Sequence, residues 1–199
     1  QGEANKINQN IKLDFEKSKI HLNIIELNIL VKLHNSQILI KQNKINLSKL
    51  YLFLPIKSFF SDDFILRRVE VAFIKNDIKD LSKITKIFLP TIINNRLNKI
   101  FEKGKINGEF VIPFNPDGSV GKNYGFTGKL IDTSLNLSKD FEIKKLSADI
   151  SHSKNFGEDK FELDIKKGFI YELDLVGSNI EILKKKNLTL IESSINTKG

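Results

Sequence analysis

The sequence predicts a mainly β protein, an antiparallel meander sheet interrupted by one helical stretch near residues 80–103. Three observations carry this. Along 199 residues, apolar side chains return at every second position in segment after segment, the period of a strand with one covered face and one solvated face. The polar positions between them carry both signs of charge. The punctuation is short ("HNSQ", "KQNK", "NPDGS", "SKNFGEDK", "KKG"), which favours hairpins over crossovers.

Taken in order, Ile11, Leu13 and Phe15 alternate with Lys12, Asp14 and Glu16. Leu27, Ile29, Val31 and Leu33 form the next series, then Ile38 and Ile40, then Ile45 and Leu47. A short helical piece is expected around Ile56 to Phe60, followed by Val69, Val71 and Phe73 at strand spacing. Asp80 to Gly104 departs from the pattern. Ile84, Ile87 and Phe88, then Ile93, Leu97, Ile100 and Phe101, fall at helical spacing. Pro90 ends or kinks the first helix, and Gly104 reads as a cap after the second. The second apolar stripe is expected to cover an edge of the sheet.

Phe110, Ile112 and Phe114 lead into Asn115-Pro116-Asp117-Gly118, where Pro presets φ and Gly accepts a positive φ. Tyr124 and Phe126 resume the alternation. Between Gly128 and Leu137 the phase slips, because Leu130 and Ile131 are adjacent and Leu135 is odd, so a bulge or turn is expected there. Leu146, Ala148 and Ile150 follow, then Phe161, Leu163 and Ile165. Tyr171, Leu173 and Leu175, then Ile180 and Ile182, then Leu188 and Leu190, complete the series.

The net charge of +8 arises in a chain rich in Lys, Ile and Asn and poor in Arg, Ala and Gly, and reads as compositional drift rather than a nucleic-acid footprint. The densest cluster, Lys184 to Lys186, has no Arg and aromatic platform beside it, so no nucleic-acid partner is expected. Cys is absent, which removes disulfides and thiolate metal sites. His21, His34 and His152 lie far apart in sequence, and Asp62-Asp63 has no partner at a fixed offset. No catalytic residue, metal site or cofactor is expected, and the chain reads as a non-enzyme. No apolar run is long enough to span a bilayer as a helix. Starting at Gln1-Gly2-Glu3, the chain is expected to be a fragment or a processed product.

Two stretches carry a resemblance. "NKINLSKLYLFLPIKSFFSDDFILRRVEVAFIKNDIKDLSKITKIF", Asn43 to Phe88, resembles the AsmA-like/TamB/YhdP superfamily of bacterial envelope proteins. There a strand, a Leu-x-x-Phe-Phe type turn, a hydrophobic-x-Val-x-Val strand and a helix start recur as a unit. "KGKINGEFVIPFNPDGSVGKNYGFTGKLIDTSLNL" is similar to the strand pairs of its YhdP-like branch. The resemblance covers roughly Asn43 to Leu190 and implies a curved antiparallel sheet forming an open apolar groove. The whole of 1–199 would be one repeat-like segment of a longer protein, with a helical insert at 80–103. It would carry phospholipid acyl chains between inner and outer membranes, in the periplasm, anchored to the inner membrane by sequence outside this segment.

On this reading the groove is lined by Ile29, Val31, Val71, Phe73, Phe110, Ile112, Phe114, Phe126, Leu135, Leu163, Leu173 and Leu175. A greasy track needs no reactive group, which accounts for aromatic strands without chemistry. The alternative is a non-catalytic β-rich structural or interaction module, in which the same residues pack on one another in a closed core. Patterning cannot separate the two, since both produce one-sided strands.

Overall fold

A computed structural model describes residues 11–40, 43–60, 65–81, 99–138, 141–155, 157–186 and 188–199. Among them the protein is one large antiparallel sheet that is not closed. Its strands are β1 (Ile11–Asp14), β2 (Lys17–Asn23), β3 (Asn28–His34), β4 (Ser36–Ile40), β5 (Asn43–Pro55), β6 (Arg68–Asp77) and β7 (Phe101–Pro113). They continue with β8 (Tyr124–Ser138), β9 (Phe141–Asn155), β10 (Glu158–Ile170), β11 (Leu173–Leu175), β12 (Ser178–Lys185), β13 (Leu188–Ser194) and β14 (Thr197–Lys198). The order β5-β6-β7-β8-β9-β10 is that of a meander. Long strands at either side serve two neighbours each. β5 pairs with β4 along its first half and β3 along its second, and β10 pairs with β12 and then β11.

Turn chemistry explains two of the described reversals. Asn35 links β3 to β4 at φ 49, a backbone that Asn tolerates, and its side chain donates to Glu16 Oε2 at 2.6 Å. In the loop after β7, Gly118 N donates to Asn115 O at 2.9 Å with Gly118 at φ 80. Asp117 Oδ1 there accepts from both Ser119 N (2.9 Å) and Ser119 Oγ (2.6 Å). These hydrogen bonds favour the ionised form of Asp117 and hold its carboxyl below the usual carboxylate value. The phase slip in β8 is a local irregularity at Asp132, φ 48, inside an unbroken strand. Lys75 in β6 and Lys145 in β9 take the same backbone.

Four local expectations need correction. "KKG", Lys166 to Gly168, lies inside β10, and the chain instead turns at Tyr171, φ 54, which is exposed. Leu27 is likewise a turn residue, φ 51, rather than the first residue of its strand. β2 was not anticipated. Helical backbone occurs at 78–81 and 99–100, the two ends of the predicted helical stretch, while 82–98, with Ile93 and Leu97, lie outside the described residues. Phe101 to Lys103 already belong to β7, and Gly104 is a strand residue at φ 134. A Cβ there would sit 2.4 Å from Thr133 Oγ1 and 2.6 Å from Thr133 Cα, so glycine serves a close strand approach, not a helix end. The short piece after Pro55 is a 3-10 helix, Ile56–Phe59.

Two compact units divide the chain. One takes the described residues within Gln1–Ile74, Glu109–Phe126 and Lys154–Phe156, the other those within Lys75–Gly108, Thr127–Ser153 and Gly157–Gly199. In the first, buried apolar side chains are Ile29, Leu33, Ile45, Leu47, Leu50, Leu54 and Phe73. In the second, Leu130, Ile143, Leu146, Ala148, Ile165 and Leu175 are among the buried. Gly168 lets Ile143, Leu146 and Leu175 close over its backbone, each 3.4–3.7 Å from where a Cβ would be.

Candidate functional site

In the first unit, register places the predicted residues on one face. Across β3 and β5, Ile29 faces Leu54, Val31 faces Leu52 and Leu33 faces Leu50. Across β5 and β6, Leu50 faces Val71 and Leu52 faces Val69. The pairing then shifts between Leu47 and Lys49, so that Leu47 meets Phe73. This irregularity in β5 brings Leu47, of opposite parity to Leu50 and Leu52, onto the apolar face beside Phe73. The row continues through rings: Phe73 to Phe110 at 6.0 Å between centroids, and Phe110 to Phe126 at 4.5 Å. Strand alternation puts Ile112 on the Phe110 side of β7, and Phe114 lies just past the strand's end, bridged to Val120.

Exposure along this row is uneven. Ile29 and Phe73 are buried, whereas Val31, Val71, Ile112, Phe114 and Phe126 are half-buried and Phe110 is 37% exposed. In the second unit, Leu163 faces Ile180 and Phe161 faces Ile182. Leu175 faces Gly168 and is buried, Leu173 faces Ile170 and is exposed, and Leu135 is buried.

The opposite faces are charged. In the first unit, Lys49 Nζ lies 2.7 Å from Glu70 and 2.6 Å from Glu109, and Arg68 bridges Glu70 at 3.1 Å. Burial pulls the Lys49 ammonium down, but hydrogen bonds to Glu109 and Glu70 outweigh it and hold the group above its usual value. In the second unit, Lys160 spans Glu162 (2.7 Å) and Glu181 (3.2 Å), and Glu162 also accepts from Ser151 Oγ at 2.8 Å. The hydrogen bond from Lys160, then that from Ser151, holds the Glu162 carboxyl below its ordinary range.

Sequence reading missed the central strand of the first unit's apolar face. Leu50, Leu52 and Leu54 supply its middle, yet "LYLFLPIKSFF" reads as a continuous apolar run because Tyr51 and Phe53 alternate with them. The structure turns those two rings to the charged side. Lys32 and Lys49 each lie 5.2 Å from the Tyr51 centroid, and Arg68 lies 4.0 Å from that of Phe53. Cations over ring faces make an aromatic an acceptable member of a polar surface. The lead that could have found this was Tyr and Phe at one parity and Leu at the other.

Of the three histidines, His21 is exposed on β2 and His152 contacts Asp159. Asp62 and Asp63 lie outside the described residues. Among the described residues no group of three or more His, Cys, Asp or Glu is placed to hold a metal ion, and no helix is long and apolar enough to cross a membrane. Comparisons with protein-family models, with curated proteins and with solved structures gave no match.

Proposed function

We propose that this chain is a segment of a bridge-like, AsmA-like protein that carries phospholipid acyl chains along its apolar sheet face. Carriage would run between inner and outer membranes, in the periplasm, with anchorage to the inner membrane supplied by sequence outside the segment. The role is non-catalytic. One observation supports it above the rest: on an unclosed sheet, a row of apolar side chains stays half-open, with Phe110 as its most exposed ring. An acyl chain laid on such a row removes its own methylenes from water, at about 0.8 kcal/mol each. A row of similar aliphatic and aromatic groups presents no deep well, so an acyl chain can slide. Ile29, Phe73, Leu135 and Leu175 are already covered by protein. In this reading each unit has its own packed base and contact surface: Ile29 and Phe73 with Val31, Val71, Phe110, Ile112, Phe114 and Phe126 in the first, and Leu135 and Leu175 with Leu163 and Leu173 in the second.

The test is lipid extraction from the purified chain followed by mass spectrometry, with a photo-crosslinking residue at Phe126. Phospholipid should co-purify and crosslink. Ile112→Asp should remain folded, because a half-buried carboxylate reaches water, yet lose both signals. A parent chain free of lipid, together with an Ile112→Asp variant that unfolds outright, would transfer support to the closed structural module.

A further inference from the structure

Among the described residues four strands pair with one neighbour only: β1 with β4, β2 with β3, β13 with β12 and β14 with β11. The two long ones, β2 and β13, are seven residues each and exposed throughout. Unpaired edges of this length are templates for strand addition, and proteins normally blunt them with charge. Here the blunting is of opposite sign at the two edges. β2 carries Lys17 and Lys19, and β13 carries Glu192.

Each edge is also electrostatically incomplete. Lys19 stands directly opposite Lys32 across β2 and β3, and Glu192 stands directly opposite Glu181 across β12 and β13. Like charges facing each other across a ladder disfavour the pair. Among the described residues, neither Lys19 nor Glu192 has an ion-pair partner. Like charge opposes β2 against β2 and β13 against β13, whereas β2 against β13 is complementary.

We propose that β13 of one copy of this chain adds antiparallel to β2 of a second copy, in the register that sets Glu192 opposite Lys19. That register uses all seven residues of both strands. It produces the charge row Lys32, Lys19, Glu192, Glu181, with the two cations from one copy and the two anions from the other. It sets Ile20, 67% exposed, against Ile191, 68% exposed. The faces agree. Ile20 lies opposite Val31, on the apolar face of the first unit, and Ile191 lies opposite Ile182, on the face turned away from Lys160, Glu162 and Glu181. Strand addition therefore joins apolar face to apolar face. Because the two surfaces differ, the contact is heterologous, and a pair joined through it still offers one β2 and one β13 to further copies. It does not depend on what the apolar face carries.

The chain has no Cys, so single cysteines report contacts without background. Lys19→Cys and Glu192→Cys chains, mixed and mildly oxidised, should form a disulfide-linked pair far more readily than either chain alone. In analytical ultracentrifugation the parent chain should show mass rising with concentration. Lys19→Glu and Glu192→Lys should each reduce it, and an equimolar mixture of these two should restore it, since each then offers the other a complementary edge. Circular dichroism checks that these exposed substitutions leave the sheet intact. A parent chain that stays monomeric at every concentration overturns the proposal. So does a disulfide that forms as readily in either pool alone, which would place like edges together.

Discussion

Phe73 and Phe110 are neighbours in one row, yet aspartate at the two positions should have opposite consequences. A phenylalanine ring removes about 150–250 Å² from water when fully covered. Phe73, 5% exposed, therefore contributes about 4–6 kcal/mol at about 25 cal/mol per Å². Phe110, 37% exposed, contributes about 2–4 kcal/mol on the same scale. The charge separates them further. At Phe73 a carboxylate replaces a ring packed against Leu47 and Phe110, and an unpaired buried charge adds several kcal/mol. The sum approaches or exceeds the roughly 5–15 kcal/mol that holds an ordinary domain together. At Phe110 the carboxylate swings into water and the loss stays near the ring term. Urea titration followed by circular dichroism should show Phe73→Asp unfolded or nearly so, and Phe110→Asp folded with a lower midpoint. Phospholipid co-purification should vanish in the folded Phe110→Asp chain. Equal unfolding in both variants would mean that the row is closed over at Phe110. A folded Phe110→Asp chain that still carries lipid would mean that the row is not the track.

Two further outcomes follow from local geometry. Gly104→Ala should destabilise by about 1–3 kcal/mol from backbone strain at φ 134, with more from the clash. Thr133→Ala should not rescue it, because Thr133 Cα itself lies 2.6 Å from the new Cβ. Gly168→Ala, with its nearest atoms at 3.4 Å, should be much milder in the same melt. In acid, Glu162 is the group to follow. Its folded carboxyl is held below the ordinary 4.5, so its contribution is present above that value and is lost as pH falls through the lower folded one. Denaturation midpoints measured from neutral pH downward should drop below about 4.5, and Glu162→Gln should flatten part of that drop.

Period-two patterning by itself determined that this protein is an antiparallel sheet with one apolar face, because a half-covered strand must place its apolar groups at every second position. It also located the Asn115–Gly118 reversal and the slip near Asp132, where turn residues and broken parity leave a local trace. Other features left none. β2 has the sequence "KSKIHLN" and neither face buried. Ile20 and Leu22 alternate there, too few positions to mark a strand, and its conformation comes from pairing with β3. The strand of Leu50, Leu52 and Leu54 was hidden because cations over Tyr51 and Phe53 make its polar face aromatic. The positive φ at Lys75 and Lys145 left no local mark either, because Lys is not a residue that favours that backbone. Which apolar residues are covered was likewise decided only in three dimensions. Phe73 and Phe110 have the same chemistry and both fall in alternating strands, but neighbours close over the first and leave the second half-open. That difference in neighbours, not in sequence pattern, separates the packed base of the face from the surface available to a ligand.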